Sequence, residues 1–207
     1  MQSFRRKLSM DPKLENYLWT MKNEWFPVST LHGTVYLTVV PKASHREQIF
    51  KKLSDALNRR VSAQDLKTKA GSTRPEFPEL PIDANWTHSK DICVLAYSRE
   101  CRVGVDMEFQ SRNRLKLAER FFAPAETDRL RQILQNEGVA AAQSLFYTLW
   151  CRKEAFFKCR GGDFFEGTLR KPMLENHVET VQLTDLNPAE LGIQGDCSLC
   201  LATMPLG

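Results

Sequence analysis

The chain has 207 residues, 42% of them hydrophobic and 26% charged, with a formal net charge of +4. That suits a soluble globular protein with one large core or two small lobes. A mild positive excess fits an acidic partner or a phosphate-bearing ligand and calls for no nucleic acid. The N-terminus carries Arg5, Arg6 and Lys7 without an apolar stretch behind them, so no signal peptide is expected. The longest apolar runs are of strand length, so neither a membrane span nor a membrane partner is expected, and the location expected is the cytoplasm. The six cysteines are accordingly read as reduced thiols, the Cys197/Cys200 pair included.

Leu14, Tyr17, Leu18 and Met21 are spaced for a short helix, and the rest of residues 1–32 reads as loop. Gly33 to Val40 is β-branched and aromatic and ends at Pro41, a buried strand. Ser44 and Glu47 form the S-x-x-E pattern of a capping box, starting a helix that runs to about Arg60. Gly71, Pro75, Pro78 and Pro81 punctuate an extended, irregular segment leading to Asn85–Lys90. Ile92 to Ser98 is a second strand, Arg99 to Arg102 a turn, and Val103 to Glu108 a third strand expected to close a hairpin with the second. Helices follow near 115–122 and 124–136, the latter opened by Pro124. The longest, Val139 to Arg160, stops at Gly161-Gly162. Val178–Leu186 and Ser198–Thr203 alternate as strands. The fold class expected is α+β, two similar lobes in one chain, each a small, mainly antiparallel sheet packed on a long helix. The lobes divide at 1–102 and 103–207.

Side chains alternate along a strand, so Asp106 and Glu108 fall on one side. In the long helix Phe146, Trp150, Lys153 or Glu154, and Phe157 share a stripe. A half-buried Glu154 needs a cation or several donors, and Lys158, one turn on, is one candidate. Three carboxylates make an acceptable oxygen set for Mg²⁺, and a lysine beside them acts on phosphate charge. That is the inventory of a metal-assisted phosphoryl or phosphodiester transfer.

Val103-Gly104-Val105-Asp106-Met107-Glu108 and Trp150-Cys151-Arg152-Lys153-Glu154-Ala155-Phe156-Phe157-Lys158 resemble the two-part signature of 4'-phosphopantetheinyl transferases, with residues 107–149 between Asp106 and Trp150. Trp86-Thr87-His88-Ser89, Arg120-Phe121-Phe122-Ala123-Pro124-Ala125-Glu126 and Arg74-Pro75 are similar to further segments of that family, so the resemblance covers about residues 70–165. The chain length is similar to the Sfp type of the holo-acyl-carrier-protein synthase superfamily, in which two lobes form a pseudodimer around the active site. The resemblance implies transfer of the phosphopantetheine arm of coenzyme A (CoA) to a serine of an apo acyl or peptidyl carrier protein, with release of 3',5'-ADP, by a monomer. It implies Asp106, Glu108 and Glu154 as Mg²⁺ ligands and Glu154 and Lys158 as catalytic groups. His88, Thr87, Arg74 and Lys158 are the implied CoA contacts. The helix around His45–Leu53 lacks the glycine usual in that family, and its Arg46, Lys51 and Lys52 read as a solvated face. Two readings stay open beside this one, another Mg²⁺-dependent phosphodiesterase or nuclease and a non-catalytic module that binds CoA or a carrier protein.

Overall fold

Val35, Leu37, Thr38 and Val40 are buried along Gly33–Pro41, positions from both sides of the strand, the pattern of a strand with packed neighbours on both faces. The computed structural model describes residues 24–68, 74–111, 113–162 and 164–206. Within them lie two four-stranded antiparallel sheets and four α-helices. The first sheet has the order β1-β2-β4-β3, from β1 (Phe26–Thr30), β2 (Gly33–Pro41), β3 (Asp83–Ser89) and β4 (Ile92–Ser98). The second has the order β5-β8-β7-β6, from β5 (Cys101–Phe109), β6 (His177–Val178), β7 (Val181–Leu186) and β8 (Cys197–Pro205). The helices are α1 (His45–Leu57), α2 (Leu115–Phe121), α3 (Pro124–Asn136) and α4 (Val139–Arg160).

Three apolar cores separate four layers. Ile49 and Leu53 of α1 pack on Val40, Cys93 and Leu95 of the first sheet. Val35, Leu37, Val94 and Ala96 meet Val103, Val105 and Met107 between the sheets. Phe146, Phe156 and Cys159 of α4 cover Val181, Leu183, Cys200 and Ala202 on the outer face of the second sheet. Every residue of β4 is therefore buried, because it has a packed layer on both faces.

Gly104 lets α4 lie directly on β5. A Cβ at this position would run into the carbonyl oxygen of Ala155 and the backbone of Cys159. Because the obstacle is helix backbone, no side-chain rotation relieves it. Gly104→Ala is expected to lower stability by about 1–3 kcal/mol, read as a lower denaturant midpoint at unchanged slope.

Several expectations hold and several do not. The bounds of α4, its Gly161 cap at φ 80° and Pro124 at the start of α3 agree with the sequence reading. Ser44 precedes α1 but makes no side-chain cap; a 3₁₀ turn over Lys42–Ser44 leads in instead. The helix ends at Leu57 because Asn58 adopts the left-handed conformation at φ 50°. Part of the expected loop over 1–32 is strand β1, and the stretch to which the irregular segment leads, given no element in the sequence reading, is β3, paired along its length with β4. The expected helix on Leu14, Tyr17, Leu18 and Met21 falls outside the described residues.

The expected hairpin of 92–98 with 103–108 does not form. Ser98 Oγ accepts from the N–H groups of Glu100 (3.1 Å) and Cys101 (3.3 Å) and donates to Thr34 O (2.8 Å), which turns the chain out of the first sheet. β5 then pairs with β8, from Cys101 opposite Pro205 to Phe109 opposite Cys197.

What joins the sheets is a row of side chains. Asp83, Asn85, Thr87 and Ser89 on β3 accept from the backbone N–H groups of Val103 (2.7 Å), Val105 (3.3 Å), Met107 (3.4 Å) and Phe109 (3.2 Å) on β5. These amides face away from β8, and short polar side chains at a period of two supply the acceptors that a neighbouring strand would otherwise provide.

Candidate active site

Asp106 sits on the edge strand β5 with 4% of its surface exposed. Its Oδ1 accepts from Lys158 Nζ at 2.6 Å and from Thr87 Oγ1 at 2.9 Å. Its Oδ2 is buried without a hydrogen-bond partner. A carboxylate oxygen in that position costs stability, and additional positive charge is what would satisfy it. Two residues on, Glu108 accepts from Ser89 Oγ at 3.1 Å. Burial, then the charge of Asp106, raises its pKa.

The long helix brings the third acid. Glu154 is half-buried, and its pKa rises to about 7, first from burial and then from Asp106, with Lys158 opposing. The i,i+4 spacing made Lys158 a candidate partner for Glu154. In the structure its ammonium turns to Asp106 and to the carbonyl of Val105 at 3.2 Å. A carboxyl with its pKa raised this far beside two other acids is the electrostatic mark of too little local positive charge.

Asp106, Glu108, Glu154 and Lys158 line one cavity of about 460 Å³, walled on its other side by His45, Arg46, Trp86, Thr87 and His88. A second recess of about 430 Å³ shares Arg46, Trp86, Glu154 and Lys158 with it, so the two form one cleft beside the β3–β5 seam. A larger recess of about 900 Å³, walled mainly by residues 187–197, shares no lining residue with this cleft and none of its acids. Among the described residues no three His, Cys, Asp or Glu side chains already stand in ligand geometry around one point. The donor set nevertheless fits a hard divalent cation, with three carboxylates on one cavity, one oxygen unpartnered and a second acid whose pKa is raised to about 7.

The other expected site residues divide. Thr87 is buried in the cavity wall, where its hydroxyl positions Asp106 and accepts from Met107 N–H. His88 is exposed at the mouth, its ring centroid 6.0 Å from that of His45 in an edge-to-face arrangement. Arg74 lines the second recess, but its buried guanidinium is engaged by Asp83 and by the carbonyls of Val103 (2.9 Å) and Lys158. It braces the turn of α4 that carries Lys158. Arg46, read as solvated, lines both recesses, whereas Lys51 pairs with Asp55 on the helix surface.

Three features were not foreseen. Ser89 supports Glu108, and the alternation Asp83, Asn85, Thr87, Ser89 on a strand-length segment was the available signal. His45 reaches the cavity only because α1 begins after the 3₁₀ turn. Lys153 is fully buried and pairs at 2.7 Å with the fully buried Glu126. The polar residue on the core stripe of α4 is thus Lys153, and Glu154 lies at its edge.

Comparison with known proteins then bears on this cleft. Residues 102–198 match the family model of the 4'-phosphopantetheinyl transferase superfamily. The match contains Asp106, Glu108, Glu154 and Lys158. The chain is also similar to a Synechocystis sp. protein with the provisional name 4'-phosphopantetheinyl transferase slr0495, 40% identical over 93 residues, 42% of this chain and 36% of that protein. It is 28% identical over 117 residues to the 4'-phosphopantetheinyl transferase HetI of Nostoc sp., 56% of this chain and 44% of that one. With the 4'-phosphopantetheinyl transferase AcpT of Escherichia coli it shares 32% over 96 residues, 45% of this chain and 47% of the relative. The matches thus span less than half the length of each of these curated relatives. No described helix is long and apolar enough to cross a membrane.

Proposed function

We propose that this protein is a 4'-phosphopantetheinyl transferase of the Sfp type. It transfers the phosphopantetheine arm of CoA to the serine hydroxyl of an apo acyl or peptidyl carrier protein and releases 3',5'-ADP. The observation that carries the reading is the meeting of Asp106, Glu108, Glu154 and Lys158 in one cleft, within the stretch that matches the family model. On this reading the lobes 1–102 and 103–207 act as a pseudodimer in a cytoplasmic monomer, with no nucleic-acid or membrane partner.

Asp106, Glu108 and Glu154 would hold Mg²⁺, which supplies charge that draws electron density from the pyrophosphate. Glu154 takes the proton of the incoming serine hydroxyl. The serine oxygen bonds to the phosphorus on the pantetheine side. The bond from that phosphorus to the oxygen of the adenosine-side phosphate breaks, and 3',5'-ADP leaves with the electron pair. Lys158 offers its ammonium to the charge that develops on the phosphates. His88 and Arg46 at the mouth and Thr87 and Arg74 in the wall are the CoA-side contacts.

The test is incubation with CoA, Mg²⁺ and an apo carrier protein, followed by mass spectrometry of the carrier. One phosphopantetheine is expected on its serine, lost on chelation by EDTA and restored by excess Mg²⁺. Hydrolysis of CoA without carrier modification would instead establish a phosphodiesterase, and CoA binding without either product a non-catalytic module.

A further inference from the structure

Lys158 stands where the charge of a metal is needed. Its ammonium donates to Asp106 Oδ1 at 2.6 Å and to Val105 O at 3.2 Å, so it is committed to the acid cluster and not to the open cleft. Burial and the charge of Asp106 raise the Glu108 and Glu154 carboxyls, and Lys158 opposes the rise at both. One ammonium therefore serves all three acids, the task a divalent cation performs with twice the charge.

Two cations would have to compete for Asp106. Thr87 Oγ1 already donates to Oδ1 at 2.9 Å, and Oδ2 is buried. An ion that enters from the cleft either takes Oδ1 from the ammonium or settles on Oδ2 with the ammonium on the neighbouring oxygen. Like charges that close repel strongly in a half-buried site. The lysine has room to leave, since its side chain is 24% exposed and lines both recesses of the cleft. Arg74 donates to the Lys158 carbonyl, so the backbone is held while the side chain turns.

We propose that Lys158 is a removable stand-in for the divalent cation: it holds the three carboxylates together, and metal binding displaces its ammonium from Asp106 into the cleft, where phosphate charge receives it. This rests on the transferase reading, which names both the metal and the phosphates. Metal entry is then the event that delivers the lysine to its substrate. Phosphates that accept the displaced ammonium favour metal binding, and the metal favours the phosphate ligand by the same factor.

The test reads Mn²⁺ binding to the full chain without CoA, by the loss of the free-ion signal in electron paramagnetic resonance, because Mn²⁺ takes the same oxygen donors as Mg²⁺. Lys158→Met is expected to bind Mn²⁺ about tenfold more tightly than wild type, and Lys158→Arg, which keeps the charge, to stay within about two-fold of it. Lys158→Gln replaces the Met variant if that one does not fold. Arg114→Met is the control for bulk charge, since Arg114 acts on Glu108 from outside the ion pair, and it should gain less than about threefold. An affinity in Lys158→Met equal to or weaker than wild type, or an equal gain in Arg114→Met, overturns the stand-in and leaves the transferase reading standing. A wild type that modifies no carrier protein in the assay with CoA and Mg²⁺ overturns that reading and the stand-in with it.

Discussion

Glu154→Gln is expected to lower kcat for transfer by about 10² to 10⁴ while CoA still binds, because the variant keeps an oxygen in place and loses the proton acceptor. Undiminished transfer would remove Glu154 from the role given to it. The wild-type rate should rise with pH as this carboxyl ionises, at a pH below 7 once a divalent cation sits beside it, and the Gln variant should lack that limb. Stability runs the other way. A carboxyl whose folded pKa is raised from 4.5 to about 7 binds more protons folded than unfolded between those values. Stability is therefore fully present below about 4.5 and declines as pH rises to 7, by up to about 3 kcal/mol. Without divalent cation, denaturant midpoints measured across this range should fall for wild type and stay flat for Glu154→Gln. The same substitution should thus make the protein less active and more stable, the trade expected where like charges are held together for chemistry.

The largest loss of stability is expected one residue earlier. Lys153→Met removes the ammonium that faces Glu126 at 2.7 Å, donates to Lys171 O at 2.6 Å and lies 4.8 Å over the Phe122 ring. Glu126 would remain buried and charged, at a cost of about 3–5 kcal/mol. Burial by itself pulls the Lys153 pKa down, with Glu126 opposing, so the pair is held together against desolvation. Glu126 also accepts from the N–H groups of Ala123 (3.0 Å) and Met173 (2.8 Å). Replacing both charges by apolar groups would orphan those amides. Lys153→Met combined with Glu126→Gln should therefore recover part of the loss, since the amide oxygen still accepts one of them. Chemical denaturation of the two single variants and the double variant checks this. An additive double variant would show that the pair does not act as a unit.

The elements that could be read from the chain are those whose signal is local. Pro124 starts α3, Gly161 ends α4, and Asp106 and Glu108 share a side because strand geometry requires it. Ile92–Ser98 was legible as a strand from its composition, but its partner was not, since pairing depends on residues far away. Val103–Glu108 follows it after a short turn and still joins β8, because Ser98 takes up the turn amides. On α4 the apolar stripe could not separate Lys153 from Glu154. Only the position of Glu126, brought in by Pro124 and the first turn of α3, decides which is buried. Lys158 likewise had two acids within reach, and the choice of Asp106 follows from how closely α4 lies on Gly104.

The seam between β3 and β5 has a consequence for how the two halves are aligned. Asp83, Asn85, Thr87 and Ser89 can each accept a hydrogen bond, whereas Ala84 and Trp86 between them offer no acceptor. A one-residue slip would set the Ala84 methyl and the Trp86 indole against strand amides and leave Thr87 and Ser89 away from the acids they hold. The alternation of short polar side chains along one strand thus acts as a vernier, and the spacing of the three carboxylates is read from it.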